Sequence, residues 1–362
     1  MILNDEFILL FYSEDTKFLI KYESGSSFNC HKGGITFPEN LNFGDCLVTN
    51  KGYKFYVLKP KLKDRAMRVK RSHTIVYPKE APRIIYELGI LPGMKVAEIG
   101  TGSGAMTLIL AETIGEKGEV VTIDISKISH ENAKDNIIKY GVSNPIERIK
   151  FILLADEEET PFDKRMNILK KRKELRLQND LSGKIIGNPL NKAEKIDENN
   201  KSDMINKNLE RNYGQFGNDN SNIVDNLQEH SNVGKASVDG IDYTMRVEKT
   251  ESEQQEDFNR KLFEMAPYEN EFDAVFVDIP QPWTVIPFVK KILKKGYRAG
   301  FLSPTVEQVA KSFDSLSLNN FINLECFEIM ERKWKIKSGQ CRPVDRMIAH
   351  TAFIYFASSL TN

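Results

Sequence analysis

A glycine-rich turn between an apolar strand and a helix constrains the fold of this chain more than any other feature. Residues 98–104 read EIGTGSG, after an apolar run at 95–99 and before a helical pattern at 105–114. The three glycines let the backbone bend sharply and approach a ligand closely. The helix that follows exposes unpaired N–H groups at its start. A second apolar run at 120–124 completes a strand-helix-strand unit, which predicts neighbouring parallel strands.

The alternation of strands and helices continues to the end of the chain and predicts an α/β fold. Such a chain forms a mostly parallel, Rossmann-like sheet with helices on both faces. The last two strands are expected to form an antiparallel hairpin on that sheet. Apolar periodicity predicts helices at 81–91, 127–140, 284–293 and 305–316, and further strands at 149–154, 272–277, 297–302, 323–330 and 346–356.

Composition divides the chain into three regions. Residues 71–160 and 268–362 are predicted to form the α/β domain, and residues 161–267 lose the apolar periodicity and become rich in asparagine. We expect that middle segment to be a disordered, low-complexity insertion. Residues 1–70 alternate short apolar runs with glycine-containing turns, which predicts a small barrel-like β-domain with strands at 7–11, 17–22, 34–37, 46–49 and 55–58.

The insertion is expected to be dispensable for folding. A deletion of residues 165–259 should leave a folded, active protein, because long surface insertions close at little entropic cost. Its basic run at 170–173 is either a solvated face or an RNA contact.

Charge and cysteine content exclude several classes of protein. The 51 Lys and Arg residues balance 51 Asp and Glu residues, so a polyanion has to be bound by a local patch. No stretch reaches the roughly 18 apolar residues of a membrane span, and the N-terminus does not resemble a secretory signal. Four cysteines without a CxxC pair exclude a zinc ribbon. We therefore expect an intracellular, cytoplasmic protein with no membrane partner and no metal site.

Acidic residues at the predicted strand ends indicate the ligand of the glycine turn. Asp124 ends a strand where a carboxylate accepts hydrogen bonds from ribose hydroxyls. Glu98 suits the amino group of a methionine and repels a pyrophosphate, and Asp156 suits an adenine amine. The pattern favours S-adenosylmethionine over a dinucleotide, with a purely structural glycine turn as the alternative. The expected cofactor residues are Glu98, Gly100, Thr101, Gly102, Ser103, Gly104, Asp124, Asp156 and Asp278.

A second motif, DIPQPW at residues 278–283, follows the apolar strand at 272–277. Its two prolines restrict the loop and hold Asp278 and Trp283 relative to each other. A carboxylate beside an aromatic ring suits an adenine, whose amine donates to the acid while the base stacks on the ring. We expect Asp278 to be catalytic, because a fixed carboxylate attracts the cationic methylated base more strongly than the neutral one. The alternatives are a turn-capping aspartate and a core aromatic.

The segment that joins the two domains is strongly basic. Between residues 59 and 71 seven basic side chains stand against one acid, Asp64, which suits either a phosphate-tracking stripe or a solvated linker. Tyr77 is expected to stack on a base at the pocket mouth or to be a packing residue. His350, in a late apolar pattern, is expected either to contact the substrate or to cap the last strand. The expected substrate-binding residues are Arg71, Tyr77, Lys79, Trp283 and His350.

These motifs resemble those of the tRNA (adenine-58-N1)-methyltransferases. Residues 71–80 are similar to that family's RRTQIIYPKD segment, residues 278–283 to its DLPQPW motif and residues 342–353 to its RP…HTGFL ending; residues 30–35 and 52–60 match stretches of its β-domain. The resemblance covers everything except the insertion, which is atypical. Thr74, Glu80 and Asp124 stand where the family usually has Gln, Asp and Glu.

The resemblance implies a class I S-adenosylmethionine-dependent methyltransferase domain and methylation of the T loop of tRNA. The modified base is adenine 58 and, in archaeal members, also adenine 57. It further implies a homotetramer and assigns the strand-end acids and the glycine turn to the cofactor and Asp278 to catalysis.

Three other readings stay open at this point. A protein isoaspartate methyltransferase has a similar glycine turn but should lack the DIPQPW loop. A non-catalytic RNA-binding paralogue should have a degraded glycine turn, whereas Gly100, Gly102 and Gly104 are intact. An NAD-dependent oxidoreductase needs a well-placed His or Tyr, and His130 is expected to lie in exposed, polar surroundings.

Overall fold

The structure is a computed structural model that describes residues 1–71, 74–154, 251–265 and 267–361. No helix within these ranges is long and apolar enough to cross a membrane. Asp156 and the basic run at 170–173 lie outside the described residues, as does most of the predicted insertion.

The N-terminal β-domain contains two small sheets. Alternate residues of its last strand face the domain core: Phe55 and Val57 are fully buried, whereas Tyr56 between them is exposed. The five predicted strands are present, and a sixth at Ser27–Cys30 is too short and polar to be recognised from periodicity. The strands are β1 Phe7–Ser13, β2 Thr16–Lys21, β3 Ser27–Cys30, β4 Gly33–Thr36, β5 Cys46–Val48 and β6 Lys54–Leu58, in a sheet of order β2-β1-β6-β5 and a hairpin of β3 and β4.

Two short helices lie between the β-domain and the central sheet. Helix α1, Leu62–Ala66, was expected as part of a linker, and helix α2 spans Ala81–Glu87 with Pro82 in its first turn. Sequence periodicity predicted α2 to continue to residue 91. The helix ends earlier because Gly89 takes a left-handed conformation with φ of +61°.

Seven strands form the central sheet of the α/β domain, as predicted for a class I methyltransferase fold. The final strand runs antiparallel to both of its neighbours, and the remaining pairs of the described sheet are parallel. The strands are β7 Lys95–Ile99, β8 Glu119–Asp124, β9 Ile149–Leu153, β10 Phe272–Val277, β11 Leu293–Ser303, β12 Phe321–Glu328 and β15 Phe353–Ser359, in the order β12-β15-β11-β10-β7-β8-β9.

Helices cover both faces of this sheet. Because strand side chains alternate between faces, Val275 joins one apolar cluster and the next residue, Phe276, joins the other. Both residues are fully buried. The helices are α3 Ala105–Ile114, α4 Lys127–Tyr140, α5 Glu251–Met265, α6 Ile286–Ile292 and α7 Val306–Leu318.

The two domains contact each other through α1, α4 and the start of β1. The ring of Phe7 stacks on that of Tyr140, with ring centres 5.6 Å apart. Arg65 donates to the carbonyl of Tyr140 at 2.8 Å and pairs with Glu112 at 3.4 Å. This end of the β-domain is therefore fastened to the α/β domain.

Helix α5 corrects the predicted extent of the disordered insertion. Residues 251–265 fall within the predicted 161–267 segment, yet they form a helix whose Leu262 is fully buried in the core. Phe258 packs against the same core, and the ring of Phe263 contacts Phe288 of α6 at 5.5 Å. A deletion that runs to residue 259 therefore removes more than half of a packed helix.

The last predicted strand is also corrected. It was expected at 346–356, but β15 starts at Phe353, because the preceding residues form an exposed connection. That connection carries a two-residue pair of strands, β13 Trp334–Lys335 and β14 Arg342–Pro343. The predicted antiparallel pairing of the final two long strands, β12 and β15, is present.

Candidate active site

The glycine turn lies between β7 and α3, at the carboxyl edge of the parallel strands. Gly100 has φ of +103°, and a Cβ at this position would lie 2.2 Å from the carbonyl oxygen of Asp278. The backbone N–H of Asp278 in turn donates to the carbonyl of Ile99 at 2.9 Å. Gly100 is therefore required because the DIPQPW loop passes directly over the turn.

Gly102 and Gly104 are required for different reasons. Gly102 has φ of +53° and borders open space, with no atom within 4 Å of a Cβ built there. A Cβ on Gly104 would lie 2.8 Å from the Cβ of Ala133, so this glycine lets α3 and α4 approach each other. Thr101 and Ser103, between the glycines, are both buried. The turn thus leaves a backbone surface open to a ligand at Gly102.

Asp124 closes the side of the turn at the end of β8. One carboxylate oxygen, Oδ2, accepts from the backbone N–H of Gly102 at 3.0 Å, and Oδ1 accepts from that of Ser126 at 2.8 Å. Ser126 also caps α4 by accepting from the N–H of Ser129 at 3.0 Å. Asp124 is therefore held in place by backbone donors on two sides.

Glu98 lies beneath the turn and is almost fully buried. Its Oε2 accepts from the hydroxyls of Thr107 at 2.5 Å and Thr122 at 2.7 Å. Burial raises the pKa of Glu98 to about 8, although the two hydroxyls favour the ionised form. One oxygen of Glu98 is therefore already occupied by protein donors.

Asp278 follows β10 and is half-buried beside the turn. Burial raises the pKa of its carboxyl to about 7, and its negative charge also raises the pKa of Glu98. No hydrogen bond to the Asp278 side chain is found within the described part of the chain. A rigidly placed carboxylate with free acceptor capacity is the arrangement expected of a group that receives a hydrogen bond from a substrate.

The loop after Asp278 is anchored by α7. Gln308 donates from Nε2 to the carbonyl of Pro280 at 2.8 Å, and its Oε1 accepts from the N–H of Thr305 at 3.1 Å. Ser315 donates to the carbonyl of Trp283 at 3.0 Å. The Trp283 ring packs against the core, and Lys311 Nζ lies 5.0 Å from its centre. These contacts match the alternative of a core aromatic, and a stacking role for Trp283 stays a prediction.

Lys79 was expected to bind substrate, and the structure corrects this. Its side chain is only 7% exposed, and Nζ donates to the carbonyls of Ile329 at 2.5 Å and Ala349 at 2.7 Å. It also pairs with buried Glu80 at 3.2 Å. Because three acceptors occupy the ammonium group, Lys79 fastens the connection between β12 and β15 to the start of α2.

His350 is held in a similar way. Its Nδ1 lies 2.7 Å from Glu328 Oε1 and its Nε2 lies 2.9 Å from the carbonyl oxygen of Pro304. The carbonyl and the carboxylate raise the pKa of His350, because both acceptors favour a ring that carries two protons. These contacts support the strand-capping alternative and leave neither ring nitrogen available to a substrate.

The remaining predicted substrate residues have simple surroundings. Tyr77 is half-buried just before α2, and stacking on a base stays a prediction for it. Arg71 is exposed and donates to the carbonyl of Met67 at 3.1 Å.

His130, expected in exposed surroundings, is instead buried. Its ring meets that of Phe151 edge-on, with ring centres 5.3 Å apart, and burial lowers its pKa to about 4.

The basic connector keeps most of its predicted character. Arg65 is the exception, because it is buried and paired with Glu112. The other six basic residues are exposed: Lys59, Lys61, Lys63, Arg68, Lys70 and Arg71.

Sequence reasoning missed the residues that hold the site together. Thr122 lies opposite Glu98 in the β7–β8 pairing, a register that the sequence alone does not reveal. Asn136 of α4 donates to the carbonyls of Lys70 at 3.0 Å and Ser103 at 2.9 Å. It also accepts from the N–H of Lys70 at 2.8 Å. The basic connector is thereby fastened to the glycine turn.

Family comparisons match two separate segments of the chain, each less than a third of its length. The family described as tRNA methyltransferase complex GCD14 subunit matches residues 241–352, which include Asp278 and His350. The family described as protein-L-isoaspartate(D-aspartate) O-methyltransferase matches residues 52–164, which include the glycine turn. The first match therefore covers the DIPQPW loop, and the second covers the glycine turn.

Individual relatives agree with the first of these families. The chain is 28% identical over 327 residues to tRNA (adenine(57)-N(1)/adenine(58)-N(1))-methyltransferase TrmI of Methanocaldococcus jannaschii, which covers 90% of this chain and 85% of the relative. It is 34% identical over 152 residues to tRNA (adenine(58)-N(1))-methyltransferase TrmI of Thermus thermophilus, which covers 40% of this chain and 58% of that relative.

Solved structures share the fold. An S-adenosylmethionine-dependent O-methyltransferase from Thermotoga maritima aligns with a TM-score of 0.64 at 23% identity, covering 100% of this chain and 95% of the other. The tRNA (m1A58) methyltransferase TrmI from Aquifex aeolicus aligns with a TM-score of 0.58 at 23% identity, covering 100% and 99%. In its glycine turn, its DIPQPW loop and its overall sequence, the chain is similar to tRNA (adenine-58-N1)-methyltransferases.

Proposed function

We propose that this protein transfers a methyl group from S-adenosylmethionine to N1 of adenine 58 in the T loop of tRNA. The observation that carries the proposal is Asp278, a half-buried carboxylate with free acceptor capacity directly above the glycine turn. The M. jannaschii relative, which aligns with 90% of this chain, is named for adenine 57 as well as adenine 58. We include adenine 57 in the proposal for that reason.

The residues around the turn fit S-adenosylmethionine. Gly102 borders open space, Asp124 is oriented by two backbone N–H groups, and Asp278 adds negative charge on the far side. When bound, S-adenosylmethionine supplies a methyl group on a positively charged sulfur. Acidic side chains suit such a cation, whereas a pyrophosphate would be repelled by Asp124 and by ionised Asp278. Asp156 is proposed as an adenine contact on sequence grounds.

Asp278 positions the acceptor base and neutralises the charge that develops on it. Its carboxylate accepts a hydrogen bond from the exocyclic amine, which directs the N1 lone pair at the methyl group. As the N1–methyl bond forms and the methyl–sulfur bond breaks, the sulfur keeps the electron pair and the base becomes cationic. A fixed carboxylate stabilises that cation more than the neutral base, which is the condition for catalysis.

The pKa of Asp278 suits a second task. With a value of about 7, the carboxyl exchanges protons readily near neutral pH. The methylated base loses its extra charge when one amine proton leaves, and Asp278 is the group placed to receive that proton. The proton then passes to solvent as the product is released.

The exposed Lys and Arg side chains of the connector form the proposed contact with the RNA backbone. Six exposed Lys and Arg side chains between residues 59 and 71 suit a phosphate backbone. Because Asn136 joins the backbone of Lys70 to that of Ser103, RNA bound at the connector is held in register with the glycine turn. Tyr77 and Trp283 are proposed as aromatic contacts to the target base.

A homotetramer in the cytoplasm completes the proposal. The family resemblance suggests the tetramer, and exposed apolar side chains between β12 and β15 support a contact between copies: Met330, Trp334, Ile336, Met347 and Ile348. Light scattering on the purified protein gives the number of copies. A cytoplasmic location follows from the substrate, and fractionation of cells that express the protein checks it.

Methylation of an unmodified tRNA transcript tests the proposed function. The protein, labelled S-adenosylmethionine and transcript should give 1-methyladenosine at position 58, located by nuclease digestion and mass spectrometry. A transcript with guanine at position 58 is the control for that site, and one with guanine at 57 tests the neighbouring base. Labelling of an isoaspartyl peptide instead of RNA would overturn the proposal.

A further inference from the structure

A lysine lies between two tyrosine rings in the N-terminal β-domain. Lys32 Nζ is 4.7 Å from the centre of the Tyr53 ring and 5.2 Å from that of the Tyr12 ring. The two rings meet edge to face, with centres 5.8 Å apart. Both tyrosines are 37% exposed, and no hydrogen bond of either hydroxyl is found within the described residues. We call these three residues the Lys32 cluster.

Two interlocked turns hold this cluster in place. The backbone of Asn50 donates to the carbonyl of Gly34 at 3.0 Å, and the Asn50 side chain accepts from the N–H of Gly34 at 3.0 Å. Thr49 donates from its hydroxyl to the carbonyl of Lys32 at 2.8 Å. A Cβ on Gly33, whose φ is +106°, would lie 2.4 Å from the Asn50 side chain. The turns that carry Lys32 and Tyr53 are therefore rigidly joined.

The surroundings of the cluster are positively charged. No carboxylate pairs with Lys32 in the described part of the chain, and Lys51 and Lys54 nearby are exposed and likewise without an ion pair there. The nearest acids in sequence to Tyr12 are Glu14 and Asp15, and Glu14 pairs with Lys17 at 3.4 Å. An unpaired ammonium group between exposed rings suits a ligand that carries both negative charge and flat bases.

The cluster and the glycine turn lie in different domains. Phe7, at the start of β1, contacts the α/β domain through Tyr140, whereas Tyr12 is five residues further along the same strand. At roughly 3.3 Å per residue Tyr12 lies about 17 Å along β1 from that contact. A folded RNA of tRNA size spans such a distance.

We propose that Lys32, Tyr12 and Tyr53 form a second RNA-binding site, which holds the tRNA at a point away from the target base. This inference rests on the proposed function, because it takes tRNA as the ligand. The lysine contacts a phosphate, and the tyrosine rings provide a surface on which an unpaired base stacks. The site contributes to tRNA affinity and not to the chemical step.

Two conservative variants isolate the cluster. Lys32→Met keeps the hydrocarbon stem between the rings and removes the charge, and Tyr53→Leu removes one of the two rings and keeps an apolar side chain. Lys21→Met is the matched control, because it removes one positive charge from the same domain near Phe7, at the other end of β1. Thermal unfolding establishes that all three variants are folded.

The measurements are tRNA affinity over a series of salt concentrations, kcat at saturating tRNA, and S-adenosylmethionine affinity. Lys32→Met should weaken tRNA binding about three- to tenfold and lower the slope of log affinity against log salt by about 0.9, the value for one lost contact on duplex RNA taken by analogy with DNA. Tyr53→Leu should weaken it about fivefold or more. Both variants should keep wild-type kcat and cofactor affinity.

The outcomes separate this inference from the proposed function. If the wild type methylates tRNA but Lys32→Met binds it no more weakly than Lys21→Met does, the second site is wrong and the proposed function stands. If the wild type neither binds nor methylates tRNA, the proposed function is wrong, and the second site, which takes tRNA as its ligand, is wrong with it. If the variants lower kcat while tRNA affinity stays unchanged, the cluster does not act through binding and the inference is wrong.

Discussion

Gln308 donates a 2.8 Å hydrogen bond to the carbonyl oxygen of Pro280, two residues after the carboxylate proposed for catalysis. The same side chain accepts from the N–H of Thr305 and thereby caps α7. One carboxamide therefore joins the start of a core helix to the loop that positions Asp278.

Substitution of Gln308 separates these two tasks. In Gln308→Glu the carboxylate still accepts from Thr305, as Glu does in a capping box, but it has no donor for Pro280. We expect unchanged thermal stability and roughly tenfold lower kcat, since small displacements of a catalytic group are costly. Gln308→Ala should lower both the thermal stability and kcat. Wild-type kcat in Gln308→Glu, measured at saturating tRNA, would show that the bond to Pro280 has no part in positioning.

Asp278→Asn should remove most of the activity while binding persists. The amide keeps the size of the side chain but cannot neutralise a cationic base, so kcat should fall about 100-fold or more, as for other lost electrostatic contacts. Dissociation constants for tRNA and S-adenosylmethionine should change little. Single-turnover rates provide the measurement, and a near-normal rate in the variant would refute the role of Asp278.

The activity of the wild type should rise as pH increases through about 7. The Asp278 carboxyl must be ionised to accept from the adenine amine, and burial holds its pKa at about 7. The rate of the chemical step should therefore fall about tenfold per pH unit well below that value. Single-turnover rates between pH 5.5 and 8.5 give the profile, and a flat profile would contradict the assignment.

Glu98 should make the protein without cofactor less stable as pH rises. Its pKa is about 8 in the folded chain and 4.5 in the unfolded one, so the folded state binds more protons between these values. The contribution of Glu98 to the free energy of unfolding is full below its pKa in the unfolded chain. It is lost as pH rises through its pKa in the folded chain. Urea unfolding from pH 5 to 9 should show a loss of a few kcal/mol, smaller in Glu98→Gln. Parallel profiles for the two proteins would exclude Glu98 as the source.

Asp124→Ala should weaken S-adenosylmethionine binding by roughly 1–3 kcal/mol, the cost of leaving buried polar groups without a partner. The variant loses the proposed ribose contact and also the bonds to Gly102 and Ser126. Asp135→Ala, which removes an exposed acid from α4, is the matched control. Calorimetry gives the affinities, and equal values for the two variants would remove Asp124 from the cofactor site.

Leu262→Ala tests whether α5 belongs to the fold. Leu262 is fully buried, so its truncation should lower the free energy of unfolding by about 2–5 kcal/mol. Glu264→Ala, on the exposed side of the same helix, should change it by less than about 0.5 kcal/mol. Chemical denaturation provides both values. Equal stability of the two variants would restore the prediction that residue 259 lies in a dispensable segment.

Sequence patterns located most of the methyltransferase fold because its signals are local. The strand at Lys95–Ile99, the helices at Ala105–Ile114 and Lys127–Tyr140 and the strand at Phe272–Val277 have the predicted bounds. Each is followed directly by a glycine or by the DIPQPW loop, which marks its end in the sequence. Periodicity failed at α5, where a largely polar helix contributes few apolar side chains to the core.

The sequence by itself singled out the residues proposed to carry chemistry: the glycine turn, Asp124 and Asp278 stand out because their types and spacing are specific. Only the tertiary structure decided which charged residues remain available to a ligand. Lys79 and His350 were expected to contact substrate, and Arg65 was counted in the basic connector, yet each is occupied by protein acceptors. A side chain's partners depend on which distant segments fold against it, and a linear sequence does not contain those distances.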